Sequence, residues 1–430
     1  MDEMKFRRLF VCAFSLALVL LWNLASAAEA STAARQKIEF WTMSLKPKFI
    51  PYFQNLVKEY ERTHPQVQVE WVDFPWDILQ LKLITSIAAG TPPALVNLSV
   101  PWAEEMARDG LLQPVDRLMP ASNPYTQGAL NDLRFAGRLY AFPHYSNVNV
   151  VAYNRQILHA AGLQTAPKTM DDLLAYARQI YAKTGKAGYA PALGKIDGFM
   201  MQEGLPLIVN GKAVFNSPAH MALIAKLKQT YQANGFLKDK LFAEDNFPAV
   251  VDAYLGGRLG MMVSAPTALR RIQADSKEIY AQTDIFPAPI GPTGIADGGW
   301  MFNFAIPKGV PAEKLPAIAE FALYLTNDVN QLAFAKIANV MPTTKKALAD
   351  PHFQSVGTQS KQGAAEKAQT VAANSMEYSR SLYVAGIDDY DELRRFLVKA
   401  VEASVTGKRD PQAAMDEAVA IWNKKLAGVR

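Results

Sequence analysis

From Lys37 onward the chain alternates between two hydrophobic spacings. Lys37 to Trp41 reads as a strand, and Phe49, Tyr52, Phe53, Leu56, Val57 and Tyr60 then fall on one face of a helix that His64-Pro65 stops. Val67, Val69 and Trp71 alternate as a second strand, Trp76 to Ala89 reads as a helix, and Gly90-Thr91-Pro92-Pro93 breaks it before a short apolar strand at Ala94 to Leu98. Trp102 to Arg108 is a short helix closed by Gly110. Leu139 to Pro143 and Val148 to Tyr153 are apolar extended segments, and the polar His144-Tyr145-Ser146-Asn147 between them marks a crossing from one domain to the next.

The alternation continues in the second half. Thr169 and Asp172 have capping-box spacing and open a helix to about Lys183; Asn216-Ser217-Pro218 opens another that ends at Asn234-Gly235. Phe247 to Leu255 reads as a helix, Leu259 to Val263 as a strand, Gly291 to Gly299 as a loop and Met301 to Ile306 as a strand. From Pro311 the chain is mostly helical, and Asp410-Pro411 starts a last helix that Gly428 ends. Strands alternating with helices over this length predict an α/β protein with parallel sheets, and some 400 residues exceed one ordinary core, so two domains are expected.

The first 28 residues do not fit that pattern. Lys5, Arg7 and Arg8 precede an apolar run from Leu9 to Leu21, and Ala25-Ser26-Ala27 has the small-x-small form that signal peptidase accepts. We read residues 1–28 as a cleavable export signal of the general secretory kind, since the run is shorter than the ~20 residues of a spanning helix. Cys12, the single cysteine, lies within the run and not at its end after a small residue, which makes it a poor lipid anchor. A mature chain without cysteine has no disulfide, thiolate or cysteine-held metal. Removing Lys5, Arg7, Arg8, Asp2 and Glu3 takes one unit from the net charge of +5, leaving no basic stripe for nucleic acid.

Catalytic motifs are absent: there is no G-x-S-x-G elbow, H-E-x-x-H, phosphate loop or dinucleotide fingerprint, and the five histidines lack metal-ligand spacing. No metal or cofactor is expected. What stands out is aromatic and small polar residues at strand ends and loops. A sugar offers apolar C–H faces and a hydroxyl rim, so rings stack on the one and short polar side chains bind the other. Trp41, Trp102, Tyr145 and Trp300 fit the first role; Ser99, Asn147, Ser264 and Thr267 fit the second. Gly298-Gly299 before Trp300 lets the backbone approach something closely.

Ile38-Glu39-Phe40-Trp41, Ile87-Ala88-Ala89-Gly90-Thr91-Pro92-Pro93, Gly110-Leu111-Leu112-Gln113-Pro114 and Tyr140-Ala141-Phe142-Pro143 leading to Tyr153-Asn154-Arg155 follow one another in order. Ala161-Gly162-Leu163, Leu259-Gly260-Met261-Met262, Gly298-Gly299 before Phe304-Ala305-Ile306-Pro307-Lys308, and Val340-Met341-Pro342 complete the series. In these motifs nearly the whole mature chain resembles the extracellular solute-binding proteins of the carbohydrate type that feed ABC importers, similar in layout to the maltose- and glycerol-3-phosphate-binding proteins. The resemblance implies two α/β lobes joined by hinge crossings around an interlobe ligand cleft, one lobe being residues 36–145 plus 297–342 and the other 146–296 plus 343–430. It adds Gln202 and Tyr390 to the expected ligand contacts. It also implies a monomer in the periplasm, with the permease subunits of an inner-membrane transporter as partners. Ala94 and Asn147 stand where the family and its maltose-binding type, respectively, carry acids, and a tryptophan is missing near Thr267, which argues against maltodextrin.

Three readings stay open. The leading one is a receptor for a neutral sugar or polyol. A second is a binder of a charged solute such as a glycerol phosphodiester, with Arg270 or Arg271 supplying the charge. A third, from another class, is a secreted glycan hydrolase, which needs two carboxylates about 5 to 10 Å apart in the cleft.

Overall fold

The computed structural model describes residues 35–354, 363–384, 386–387 and 390–428; the export segment and Cys12 lie outside them. Eleven strands build two main sheets: β1 (Gln36–Met43), β2 (Val67–Phe74), β3 (Leu95–Ser99), β4 (Leu112–Gln113), β5 (Ala141–Val148), β6 (Val150–Asn154), β7 (Ala187–Tyr189), β8 (Leu259–Ser264), β9 (Thr283–Pro287), β10 (Gly299–Pro307) and β11 (Met341–Pro342). The first sheet runs β11-β5-β10-β3-β1-β2, with β4 on the edge of β10, and the second runs β9-β6-β8-β7. The protein is thus mixed α/β in two sheets.

The strands are less parallel than the alternation predicts. β1 is parallel to β2 and β3, but β10 runs antiparallel to β3 and β5, and β8 and β9 run antiparallel to β6. The reason is connectivity: β10 reaches the first sheet from the far side of the second one, not through a local strand–helix–strand crossover, so nothing forces it parallel. The polar stretch His144–Asn147, read as the crossing between domains, is itself strand. His144, Tyr145 and Ser146 are buried there, and the break falls instead at Asn149, the single residue between β5 and β6.

Local signals place the helices well. Thr169 and Asp172 make both bonds of a capping box and Gly185, in the left-handed region, ends that helix at Thr184. Asp410 accepts from the Ala413 N–H ahead of the helix Pro411–Leu426. In the first sheet Phe40 packs on Phe53, Phe304 and Phe321, while Phe334 on the helix Asp328–Ala338 covers Tyr145 and His144. Trp422, fully buried against Phe215, anchors the C-terminal helices beside the second sheet. The helix Ala364–Ser375 packs against strands of both sheets.

Candidate functional site

The β5–β10 ladder organises the site. Phe302 of β10 pairs with Tyr145 on one side and Ser99 on the other, and two residues along, Trp300 pairs with Asn147. Pairs two residues apart lie on one face of a sheet. Tyr145 and Phe302 stack with centroids 4.8 Å apart and are both buried, Tyr145 against Phe334, but Trp300 is 56% exposed, so the aromatic row runs from the core into the open. Beyond it, the Asn149 N–H donates to the Gly298 carbonyl at 2.9 Å, and Val150 pairs with Ser264 at the end of β8. Ser99, Tyr145, Asn147, Ser264 and Trp300 therefore gather where the two sheets meet.

This neighbourhood holds unsatisfied polar atoms. Asn147 Oδ1 and Ser264 Oγ are buried without a hydrogen-bond partner. Each such atom costs about 1–3 kcal/mol when left without a partner, so the two can accept or exchange a hydrogen bond with a further molecule beside the exposed indole.

The second sheet's helices supply the opposite wall. Lys195, at the end of a single 3-10 turn, holds its ammonium 4.7 Å from the Trp300 ring centroid. Asp197, in the first turn of the helix Ile196–Gln202, is 4% exposed; its Oδ2 accepts from the Tyr390 hydroxyl at 2.5 Å and its Oδ1 has no partner. Asp297, three residues before Trp300, lies against the same turn: a Cβ at Gly198 would sit 3.6 Å from its Oδ2. Burial pushes the Asp297 carboxyl up to about 6, the backbone N–H of Leu382 opposes the shift and the charge of Asp197 adds to it. Burial and the Asp197 carboxylate likewise push the Tyr390 hydroxyl well above its ordinary range.

The other residues expected at the site make contacts of their own. Trp41 is not at its strand's end, because β1 continues to Met43; its indole is buried edge-on to Phe74 and donates to Glu39 Oε1 at 2.7 Å. Gln202 is buried with its amide donating to the Pro289 carbonyl at 2.7 Å. Trp102 is half-buried against the first core, and Thr267 is exposed at the start of the helix Thr267–Asp275. Arg270 and Arg271 pair with Glu366 at 2.9 Å and with Asp275 at 3.3 Å, so neither is an uncommitted charge for an anionic ligand. Sequence reasoning missed Lys195, Asp197 and Asp297, although Asp197-Gly198 and Asp297-Gly298 place each carboxylate before a glycine, a signal that a neighbour comes close.

A cavity of about 490 Å³ lined by Tyr153, Arg155, His159 and Phe286 lies at the other end of β6, away from this site. A smaller one of about 270 Å³ is lined by Val100, Glu104, Asp132, Phe135, Ser381 and Tyr383. Among the described residues no group of three or more His, Cys, Asp or Glu could hold a metal, and no helix is long and apolar enough to cross a membrane.

Two α/β sheets joined through a single residue are the arrangement of the two-lobed periplasmic binding proteins, and the chain matches solved structures of that fold. The sequence matches the profile described as "Bacterial extracellular solute-binding protein" over residues 46–332, and the chain belongs to that family. Among its relatives is the sn-glycerol-3-phosphate-binding periplasmic protein UgpB of Escherichia coli (strain K12), 23% identical over 371 residues, 80% of this chain and 82% of that protein. A solved structure from Synechococcus sp. MITs9220, described as a candidate oligosaccharide periplasmic-binding protein, is 26% identical with a TM-score of 0.80, covering 91% of this chain and 99% of its own. The sugar-binding protein MalE of Xanthomonas citri shares the fold, with a TM-score of 0.76 at 20% identity over 91% of this chain and 98% of its own.

Proposed function

We propose that this chain is the periplasmic receptor of an ABC importer, which captures a sugar, from mono- to oligosaccharide, or a related polyol and delivers it to the permease. The observation that carries the reading is the exposed Trp300 indole set in register with Asn147, whose buried oxygen has no partner, a few residues from the equally unpartnered Ser264 hydroxyl. The indole takes an apolar sugar face and the two polar groups take hydroxyls on its edge. Asp197 and Asp297 stand at the far side as acceptors. Tyr390 and backbone N–H groups already hold them, which suits fixed acceptors and not groups that must exchange protons with a substrate, so we read no hydrolase here.

Ligand bound between the sheets would favour the closed arrangement by its differential affinity for it, and a permease reads the closed form. The alternative of a phosphorylated solute draws on the likeness to the glycerol-3-phosphate-binding protein and on Lys195 beside Trp300. Calorimetry on ligand-stripped protein with sugars, polyols, glycerol 3-phosphate and glycerol phosphodiesters separates the two. Sugars should bind with little response to salt, and a response to the phosphates alone, weakening as salt rises, would overturn the sugar reading. Incubation with the sugars that bind should leave them intact.

A further inference from the structure

The corner around Trp300 already holds an ammonium group. Lys195 places its Nζ 4.7 Å from the Trp300 ring centroid, and its charge also acts on the carboxylate of Asp297, three residues before that ring. Asp197 follows two residues after Lys195, and Gly198 lets Asp297 come against the same turn, since a Cβ there would lie 3.6 Å from Asp297 Oδ2. One ring and two carboxylates thus stand around one cation.

The charges at this corner do not balance. Asp197 is 4% exposed and its Oδ1 has no partner, while Asp297 keeps part of its surface open. Two neighbouring cations are committed elsewhere. Arg394, beside the Tyr390 ring, pairs with Glu244 at 2.7 Å and Asp391 at 3.0 Å, and Arg380, the register partner of Asp297, turns its guanidinium to Asp132 at 4.0 Å. The Tyr390 hydroxyl, which donates to Asp197, stays neutral. Two carboxylates therefore face the ammonium of Lys195, and one negative charge is in excess. A desolvated carboxylate relieves such an excess by taking a proton, the direction in which Asp297 is pushed, or by gaining a cation.

We propose that the ligand brings that cation: the corner selects a sugar or polyol carrying a protonated amine, which lies on Trp300 and donates to Asp297, so that it and Lys195 together balance Asp297 and Asp197. The inference rests on the sugar reading of the Trp300 corner and narrows it to an amino sugar. The test is calorimetry at about pH 6.5 on ligand-stripped protein with glucosamine, galactosamine and chitosan disaccharide against glucose, galactose, cellobiose and N-acetylglucosamine. The parent chain is compared with Asp297→Asn, Asp197→Asn and Lys195→Met.

At least one amine should bind about tenfold more tightly than its neutral and N-acetylated counterparts, a preference that salt changes little because the carboxylates are desolvated. Each Asn variant should cut that preference at least fivefold and leave the neutral sugars within twofold. Lys195→Met removes the corner's own cation and should raise the preference at least threefold; its side chain is only half-buried, so it carries the test if an Asn variant folds poorly. Near pH 6 the amine should also release the proton that Asp297 holds, giving a binding enthalpy that differs between buffers of unlike ionisation enthalpy, as a neutral sugar does not. Neutral sugars that bind as tightly as the amines, or a preference that survives Asp297→Asn or falls in Lys195→Met, would overturn the cationic ligand alone. Silence toward all seven compounds would overturn the sugar reading together with it.

Discussion

Single side chains at the junction of the two sheets carry costs that a bound ligand would offset. Trp300 leaves more than half its surface in water; replacing it by Ala should weaken ligand about tenfold, the ~1.4 kcal/mol expected of one stacked ring, with little change in thermal stability. Unchanged affinity in a calorimetric titration would remove the platform role. Titration of buried groups gives a second check. Asp297 has a folded value near 6 against about 3.9 unfolded, so folding takes up a proton between those limits and stability gained from this group increases as pH falls through 6 toward 4. Above pH 6 the buried charge is a standing cost, so Asp297→Asn should be more stable than the parent at pH 7.5 and lose that advantage by pH 4.5. Equal differences in urea midpoint at both pH values would contradict it. His144, held neutral by burial at about 3, has the opposite sign: its contribution is complete above about pH 6.5 and is lost as pH falls toward 3. At this scale the sequence points to Ser99, Asn147, Ser264 and Trp300 as polar or aromatic residues near strand ends, and the register brings them to one junction. Asp197 and Asp297 were not, because burial and proximity create their character and neither is written in local spacing.

Helices and strands were legible wherever a local device decides them. The capping box at Thr169, the proline openings at Pro218 and Pro411 and the change from helix to strand between Leu255 and Leu259 all stand where the sequence predicts. Sheet direction was not, since β10 gets its antiparallel place from a long-range return that no window of residues contains. The same holds for the His144–Asn147 stretch, polar in sequence but drawn into β5 by burial under Phe334. Elements also meet at glycines whose necessity only the packing shows. A Cβ at Gly291 would lie 1.8 Å from the Gln202 carbonyl oxygen, a backbone atom with no freedom to retreat. Gly291→Ala should therefore cost about 3 kcal/mol or more. It should also lower affinity, by pushing the helix Ile196–Gln202 and with it Lys195 and Asp197 out of position. Thermal melts and titration of the purified variant test both, and a variant as stable as the parent would show that the contact relaxes cheaply. Gly298 is a second such point: with φ +142° and Asn149 Cβ 2.5 Å from where its own would be, it admits no side chain beside Trp300.

For the whole molecule, the proposal of closure makes a prediction about shape. A compact chain of this length has a radius of gyration of about 21 Å, and ligand should lower the measured value by a few per cent in small-angle scattering. Identical curves with and without a binding sugar would mean that the molecule does not close on it. Two α/β units were foreseeable from length and alternation, and the polar stretch read as the crossing is the end of β5, two residues before the link. The link itself, Asn149 alone between Val148 of one sheet and Val150 of the other, makes the chain a natural gauge. Two labels, one per sheet and both far from the sugar, would be separated by rotation about a few backbone bonds, so their energy transfer would count occupied receptors without touching the recognition chemistry. Cys12 is the single cysteine of the chain, so in a protein carrying Cys12→Ser two introduced thiols there would be the sole points of dye attachment.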